Sequence, residues 1–137
     1  MKKLVLILGI LIIGFGSFAQ RTITDNVEGA ETVTFTAMQG MKQMSVLFTN
    51  VGGTTEGDFT LQGSVNGTSW ANVQPTAGMY TYFPSDTANL TGFTQEMITT
   101  DVLLIRVTGD TPFLYHRGRA VGASGDTTTV TINWSKN

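Results

Sequence analysis

The chain contains no cysteine, a single histidine and only three prolines among its 137 residues. The absence of cysteine excludes disulfide bonds, thiolate catalysis and cysteine-ligated zinc or iron–sulfur sites. A single histidine excludes most metal sites built from several imidazoles. Charged residues make up 13% of the chain, well below the usual share, which argues against a highly charged disordered chain. The formal net charge of −2 provides no general attraction to nucleic acid or to anionic lipid.

The N-terminus has the three parts of a secretory signal peptide. Lys2 and Lys3 form a short positive start, and residues 4–15 are apolar and uncharged. Ser17 and Ala19 then supply the small residues that a signal peptidase requires. This arrangement predicts an exported protein, located in the periplasm, at the cell surface or outside the cell.

Cleavage after Ala19 would remove residues 1–19 as a signal peptide and leave residues 20–137. We expect the remainder to be a single domain, because no linker or change of composition divides it. The uncharged run 4–20 is near the lower limit for spanning a bilayer, so an uncleaved anchor is the alternative. In that case residues 4–20 are the only segment expected to contact a membrane. The Ser-Phe-Ala-Gln junction resembles signal-peptide ends that are common in Bacteroidota.

The rest of the chain has the residue pattern of β-strands. Threonine, valine, phenylalanine and tyrosine dominate its patterned segments and favour pleated, half-buried surfaces. No run of ten residues keeps the spacing of an amphipathic helix. Alternation predicts the following sets of inward-facing residues: Val33, Phe35 and Ala37; Met44, Val46 and Phe48; Phe59 and Leu61; Val130, Ile132 and Trp134.

Turns at short intervals separate these segments. Asn66-Gly67 predicts a tight hairpin because both residues tolerate positive φ, and Trp70 on the returning strand is expected in the core. The run 102–108 is the most apolar and predicts a central buried strand. The pattern of 113–121 is ambiguous. About eight short antiparallel strands predict an all-β sandwich or jelly roll, and a single sheet closed on itself is the alternative.

One hairpin carries a family resemblance. Residues 57–70 read G-D-F-T-L-Q-G-S-V-N-G-T-S-W. This segment is similar to the G-x-F-x-L-x-G-S-x-D-G-x-x-W hairpin of small β-sandwich domains in bacteriophage structural proteins, and a related hairpin occurs in discoidin-like domains. Residues 104–109 and 129–132 resemble the closing strands of the phage domains. The resemblance covers less than a third of the chain and implies a β-sandwich with a structural or ligand-binding role.

An aromatic strand supplies the first candidate binding residues. Tyr80 and Tyr82 alternate along residues 78–83 and would form a platform for a sugar ring or a protein partner if they were exposed. The alternative places one set of these alternating side chains in the core. The pattern alone leaves both arrangements open.

A basic cluster supplies the other candidates, which are Tyr115, His116, Arg117 and Arg119. Guanidinium groups match the geometry of carboxylates and phosphates, so the cluster suits an anion or a glycan. The structural alternative is a solvated loop or edge strand whose charges prevent edge-to-edge pairing.

The sequence offers little for catalysis. A Ser-His-Asp triad would need His116, and no G-x-S-x-G motif is present. Glu56 and Asp58 are a carboxylate pair, but the sequence assigns neither of them a distinct role as acid or base. We predict no cofactor and no metal site.

These observations predict a non-enzymatic structural or surface-interaction subunit that is exported and associated with a virion or an envelope. Its expected partner is itself or another virion or envelope protein, and nucleic acid is not an expected partner. The alternative is a carbohydrate-binding, lectin-like module, and a small hydrolase is a third hypothesis.

Overall fold

The computed structural model describes residues 20–51, 57–73, 79–83, 90–91, 94–97, 102–123 and 127–136. The signal peptide predicted for residues 1–19 lies outside the described residues. Within the described ranges all regular elements are strands, and no helix there is long and apolar enough to cross a membrane. The strands are β1 (Arg21–Glu28), β2 (Thr32–Thr34), β3 (Met38–Gln39), β4 (Gln43–Val51), β5 (Asp58–Ser64), β6 (Ala71–Asn72), β7 (Tyr80–Phe83), β8 (Leu90–Thr91), β9 (Thr94–Glu96), β10 (Val102–Val107), β11 (Tyr115–Val121) and β12 (Thr127–Ser135).

These strands form two antiparallel sheets that enclose one core. In the described part of the chain, the first sheet has five strands in the order β1-β12-β4-β10-β7. The second has seven, with the order β2-β11-β5-β9-β8 and with β3 and β6 paired to β11 and β5 respectively. The predicted all-β antiparallel sandwich is confirmed, although the strands are more numerous than the eight expected.

Alternating burial builds the core as the sequence predicts. Along β12 every second residue is buried, and β4 repeats the same pattern. Phe59 on β5 lies at the centre, with its ring centroid 5.8 Å from Phe48 in the opposite sheet and 6.4 Å from Phe35. These three rings therefore join the two sheets.

β11 is the strand that the sequence left ambiguous. Its inward residues are His116, Gly118 and Ala120, none of which is a large aliphatic side chain. A Cβ atom on Gly118 would lie only 2.7 Å from the Phe59 ring, so the missing side chain makes room for that ring. The core volume is supplied from β5, and for this reason β11 lacks a recognisable apolar pattern.

The strand predicted around residues 31–38 is divided into β2 and β3. Arg119 pairs with Thr34, whereas His116 pairs with Met38, so the register changes by one residue between them. An extra residue of this kind is a bulge, and it moves the inward positions from odd to even numbers. Met38 is consequently buried and Ala37 is exposed, contrary to the expected alternation.

The Asn66-Gly67 hairpin is wider than the two-residue turn predicted. Gly63 pairs with Ala71, which leaves residues 64–70 as the connection. Gly67 has a positive φ of 75°, as expected, but the loop is organised by the Asn66 side chain, whose Oδ1 accepts hydrogen bonds of 2.9 Å from the amides of Thr68 and Ser69. This longer loop leaves Trp70 half-buried instead of in the core.

The apolar run at residues 102–107 forms β10 between β4 and β7. Leu103 and Ile105 are buried as expected, but Leu104 points outward and is 44% exposed. β1 was not predicted, because Ile23 and Val27 are its only apolar residues. All eight residues of β1 pair with β12, and this pairing holds β1 in the sheet.

Candidate functional site

The candidate residues are divided between the two sheets. Tyr80 and Tyr82 lie on β7 of the five-stranded sheet, whereas β11 of the seven-stranded sheet carries Tyr115, His116, Arg117 and Arg119. Tyr80 and His116 are inside the sandwich, with exposed fractions of 5% and 1%. They are therefore not available to a surface ligand. Tyr82 lies on β7 opposite Ile105, and its side chain is outside the described residues.

The buried pair forms a short hydrogen-bonded chain. The Tyr80 hydroxyl lies 2.7 Å from His116 Nε2 and 2.7 Å from Thr111 Oγ1. Thr111 Oγ1 also accepts a 3.2 Å hydrogen bond from the amide of Phe113, whose ring stands edge-on to the imidazole. These contacts fix the end of the loop that leads into β11.

Burial controls the protonation of this pair. Desolvation, helped by the positive charge of Lys42, lowers the pKa of His116 to about 4. Desolvation also raises the pKa of Tyr80, against a smaller opposing effect of the hydrogen bond with Thr111. His116 Nδ1 has no hydrogen-bond partner among the described residues, consistent with a neutral imidazole. The histidine is thus a structural group at neutral pH.

The other candidates share the outer face of the seven-stranded sheet. Tyr115, Arg117 and Arg119 alternate along β11 and are all half-buried. Arg117 is directly opposite Gln62 on β5, and Gln62 is opposite Asn72 on β6. The register therefore places side chains from three strands side by side.

Arg117 is fixed by its neighbours. Its guanidinium carbon lies 4.2 Å from the centroid of the Trp70 ring. Its Nε donates a 3.0 Å hydrogen bond to Gln62 Oε1, and Gln62 Nε2 donates a 3.0 Å hydrogen bond to Asn72 Oδ1. We call these four residues, together with Tyr115 and Arg119, the arginine face. Sequence reasoning missed Trp70, Gln62 and Asn72, because their proximity depends on the length of the loop 64–70.

The arginine face carries unbalanced positive charge. Desolvation and the nearby charge of Arg119 both lower the pKa of Arg117, desolvation having the larger effect. No ion pair is formed by either arginine with the described residues, although Asp58 lies on the same side of β5. Among those residues, no group of three acidic or histidine side chains comes close enough to hold a metal ion. The face is therefore suited to an anion and not to a cation.

The outer face of the five-stranded sheet has a different character. Outward residues of β1 and β12 form cross-strand hydrogen bonds, including Thr22 Oγ1 to Asn133 Oδ1 at 2.7 Å and Thr129 Oγ1 to Asn26 Oδ1 at 2.9 Å. Next to this polar area, β4 and β10 expose two leucines. We call this surface the threonine–leucine face; its described members are Thr22, Thr24, Asn26, Glu28, Gln43, Ser45, Leu47, Thr49, Thr81, Val102, Leu104, Arg106, Thr127, Thr129, Thr131, Asn133 and Ser135.

A groove also opens at one edge of the sandwich. It runs between β1 and residues 36–37 and has Trp134 in its wall. The Arg21 guanidinium carbon lies 5.3 Å from the centroid of the Trp134 ring. This second arginine–tryptophan pair lies apart from the arginine face and provides a useful comparison for it.

Comparisons with known proteins support the fold and leave the function open. No family model matches the chain, and no curated protein matches it. The crystal structure of the Yersinia pseudotuberculosis-derived mitogen is similar, with a TM-score of 0.52 and 10% identity, over 88% of this chain and 87% of that chain. The SPBc2 prophage-derived protein YomS has a TM-score of 0.47 and 12% identity, over 85% of this chain and 96% of that chain. At such identities the likeness to the mitogen shows a shared β-rich fold and nothing about its ligands.

Proposed function

We propose that the chain is an exported, non-enzymatic structural subunit of an envelope or a virion, and that it associates with a second copy through the threonine–leucine face. This proposal rests on apolar side chains that point outward from β4 and β10, two strands whose inward residues already contribute to the core. Leu47 is 41% exposed and Leu104 is 44% exposed on neighbouring strands, and Val102 is beside them. An apolar cluster on a sheet face is typical of an interface.

The polar part of the face could also be buried against a second copy at little cost. Across the strands, Thr22 donates a hydrogen bond to Asn133 and Thr129 donates one to Asn26. Burying polar groups that already have partners costs much less than burying unpaired ones. Among the described members of the face only Glu28 and Arg106 are charged, and their charges are opposite, so two copies would bring few like charges together.

The face is large enough for a specific contact. With strands about 4.8 Å apart and a rise of about 3.4 Å per residue, its five strands cover roughly 600 Å², which is at the lower end of standard interfaces. A standard interface buries about 800 Å² on each partner. Its short side chains would also allow a second sheet to approach to about 10 Å, the usual distance between packed sheets.

Burial of the sole imidazole supports a role without catalysis. His116 is inside the sandwich, with Nε2 engaged by Tyr80, so it cannot meet a substrate at the surface. The virion or envelope location is proposed from the N-terminal sequence and the hairpin resemblance.

Replacing Leu104 by lysine is expected to weaken self-association about tenfold or more, because a charge would be placed in the apolar centre of the interface. The measurement is sedimentation velocity over a concentration series. The full-length sequence is expressed, and the protein that accumulates, with or without its N-terminal segment, is purified for the measurement. Leu114→Lys is the matched control, since Leu114 is 49% exposed but precedes β11 and lies outside this face. A wild-type chain that stays monomeric at the highest concentration, or equal effects of both variants, would contradict the proposal.

A further inference from the structure

The arginine face holds a surface arginine in one position. Arg117 is half-buried at the surface, yet it is held by the Trp70 ring on one side and by Gln62 on the other. A long surface side chain normally keeps its rotamer freedom, and fixing it costs conformational entropy. Here much of that freedom is restricted before any ligand binds.

The fixed geometry leaves part of the guanidinium group available. Nε is used by Gln62, whereas the two terminal nitrogens have no hydrogen-bond partner among the described residues. Arg119 follows on the same side of β11, two residues along the strand. A carboxylate placed between the two arginines would receive charge-assisted hydrogen bonds and would relieve the repulsion between them.

The surroundings favour a saccharide as the carrier of that carboxylate. Asn72 is exposed and presents an amide group that matches sugar hydroxyls, and two half-buried aromatic side chains lie nearby, Trp70 against Arg117 and Tyr115 two residues before it on β11. We infer that the arginine face binds an acidic saccharide, with the carboxylate on Arg117 and Arg119 and the sugar ring against the neighbouring aromatic and amide side chains.

Strand pairing argues against an acidic peptide. Peptides commonly bind a sheet by adding a strand to a free edge. β11 is paired on one side with β2 and β3 and on the other with β5, and β5 has β6 and β9 on its far side. Among the described strands, neither β11 nor β5 therefore has a free backbone edge at Arg117, and recognition at the two arginines uses side chains. Nucleic acid is disfavoured because two arginines on an acidic protein provide little attraction for a polyanion.

The inference does not depend on self-association. The arginine face and the threonine–leucine face belong to opposite sheets, so a dimer formed through one would still present two copies of the other. Two sites on one particle would increase the avidity for a polymeric glycan.

The test is isothermal titration calorimetry of the full chain with oligogalacturonate, alginate oligosaccharides and hyaluronan oligosaccharides, which differ in the sugar rings that carry the carboxylates. We expect binding to at least one of them that weakens as salt is added. The methyl ester of the bound saccharide is the matched ligand, because esterification removes the charge and keeps the ring. Poly-glutamate is titrated in parallel as the acidic peptide.

Arg117→Lys is expected to weaken binding about tenfold, because lysine keeps the charge but loses the planar pair of donors. Arg21→Lys is the matched control, since Arg21 also lies over a tryptophan but in the other sheet, and it is expected to bind as the wild type does. Circular dichroism confirms that each variant is folded. Failure of all three saccharides, equal binding of the methyl ester or of poly-glutamate, or an equal loss in both variants would overturn the inference.

Discussion

Replacing Phe59 by alanine is expected to lower the free energy of unfolding by about 3–5 kcal/mol, the range observed for large-to-small changes at buried aromatic positions. Phe59 is 1% exposed, and its ring contacts Phe48 of the opposite sheet and Phe35 of its own. Its removal would leave a cavity at the point where the two sheets meet. Urea denaturation followed by tryptophan fluorescence measures the change.

The glycine beside this ring provides a specific control. In the wild-type chain Gly118→Ala is expected to be destabilising, because the added methyl group would lie 2.7 Å from a Phe59 ring carbon. In the Phe59→Ala background the same methyl group would enter the cavity and should be neutral or stabilising. If the two substitutions were additive, or if Phe59→Ala cost less than about 1 kcal/mol, Phe59 would not be the central packing residue.

Lowering the pH from 7.5 to 5 is expected to destabilise the protein by about 2 kcal/mol through His116 alone. Its pKa is about 4 in the folded protein, against 6.5 for the free side chain. Between these values the unfolded chain binds a proton that the folded chain does not, so acidification favours unfolding. The contribution of His116 is fully present above pH 6.5 and is lost as the pH falls towards 4.

Two measurements check this prediction. Because His116 is the only histidine, its imidazole signals in an NMR titration report its pKa without ambiguity. Urea denaturation of His116→Gln at pH 7.5 and 5 gives the background from carboxylates, and the variant should lose about 2 kcal/mol less than the wild type over that range. An NMR pKa of 6 or higher would show that the imidazole is solvated and that the buried chain with Tyr80 does not form in solution.

The strands that the sequence predicted well are those whose inward residues are large and apolar. β4, β5 and β12 alternate in this way, and each one lies where its pattern indicated. β11 could not be recognised, since Gly118 faces the core only because the Phe59 ring fills the adjacent volume. β1 depends on pairing with β12 and on side-chain hydrogen bonds, neither of which leaves an apolar pattern.

The positions of some candidate binding residues follow from the sequence, and those of others do not, for a related reason. Arg117 and Arg119 are close in space because alternate residues of one strand share a face, and this follows from the sequence once a strand is assumed. Trp70 joins them through the loop 64–70, whose conformation depends on hydrogen bonds that Asn66 Oδ1 accepts from the amides of Thr68 and Ser69, and the rules for two-residue turns do not include these bonds. Tyr80 and His116 have both polar and apolar parts, so their sequence context alone fits the surface and the interior equally well.

Chemical cross-linking at single cysteines tests the central claim most directly, because the chain has no cysteine of its own. Thr49→Cys places a thiol on the threonine–leucine face, and Gln39→Cys places one on the outer side of the other sheet; both positions are exposed. With a bis-maleimide about 10 Å long, a distance matching that between packed sheets, we predict a covalent dimer from Thr49→Cys and little or none from Gln39→Cys. Equal yields from both variants, or a dimer from Gln39→Cys alone, would show that the protein does not assemble through the threonine–leucine face.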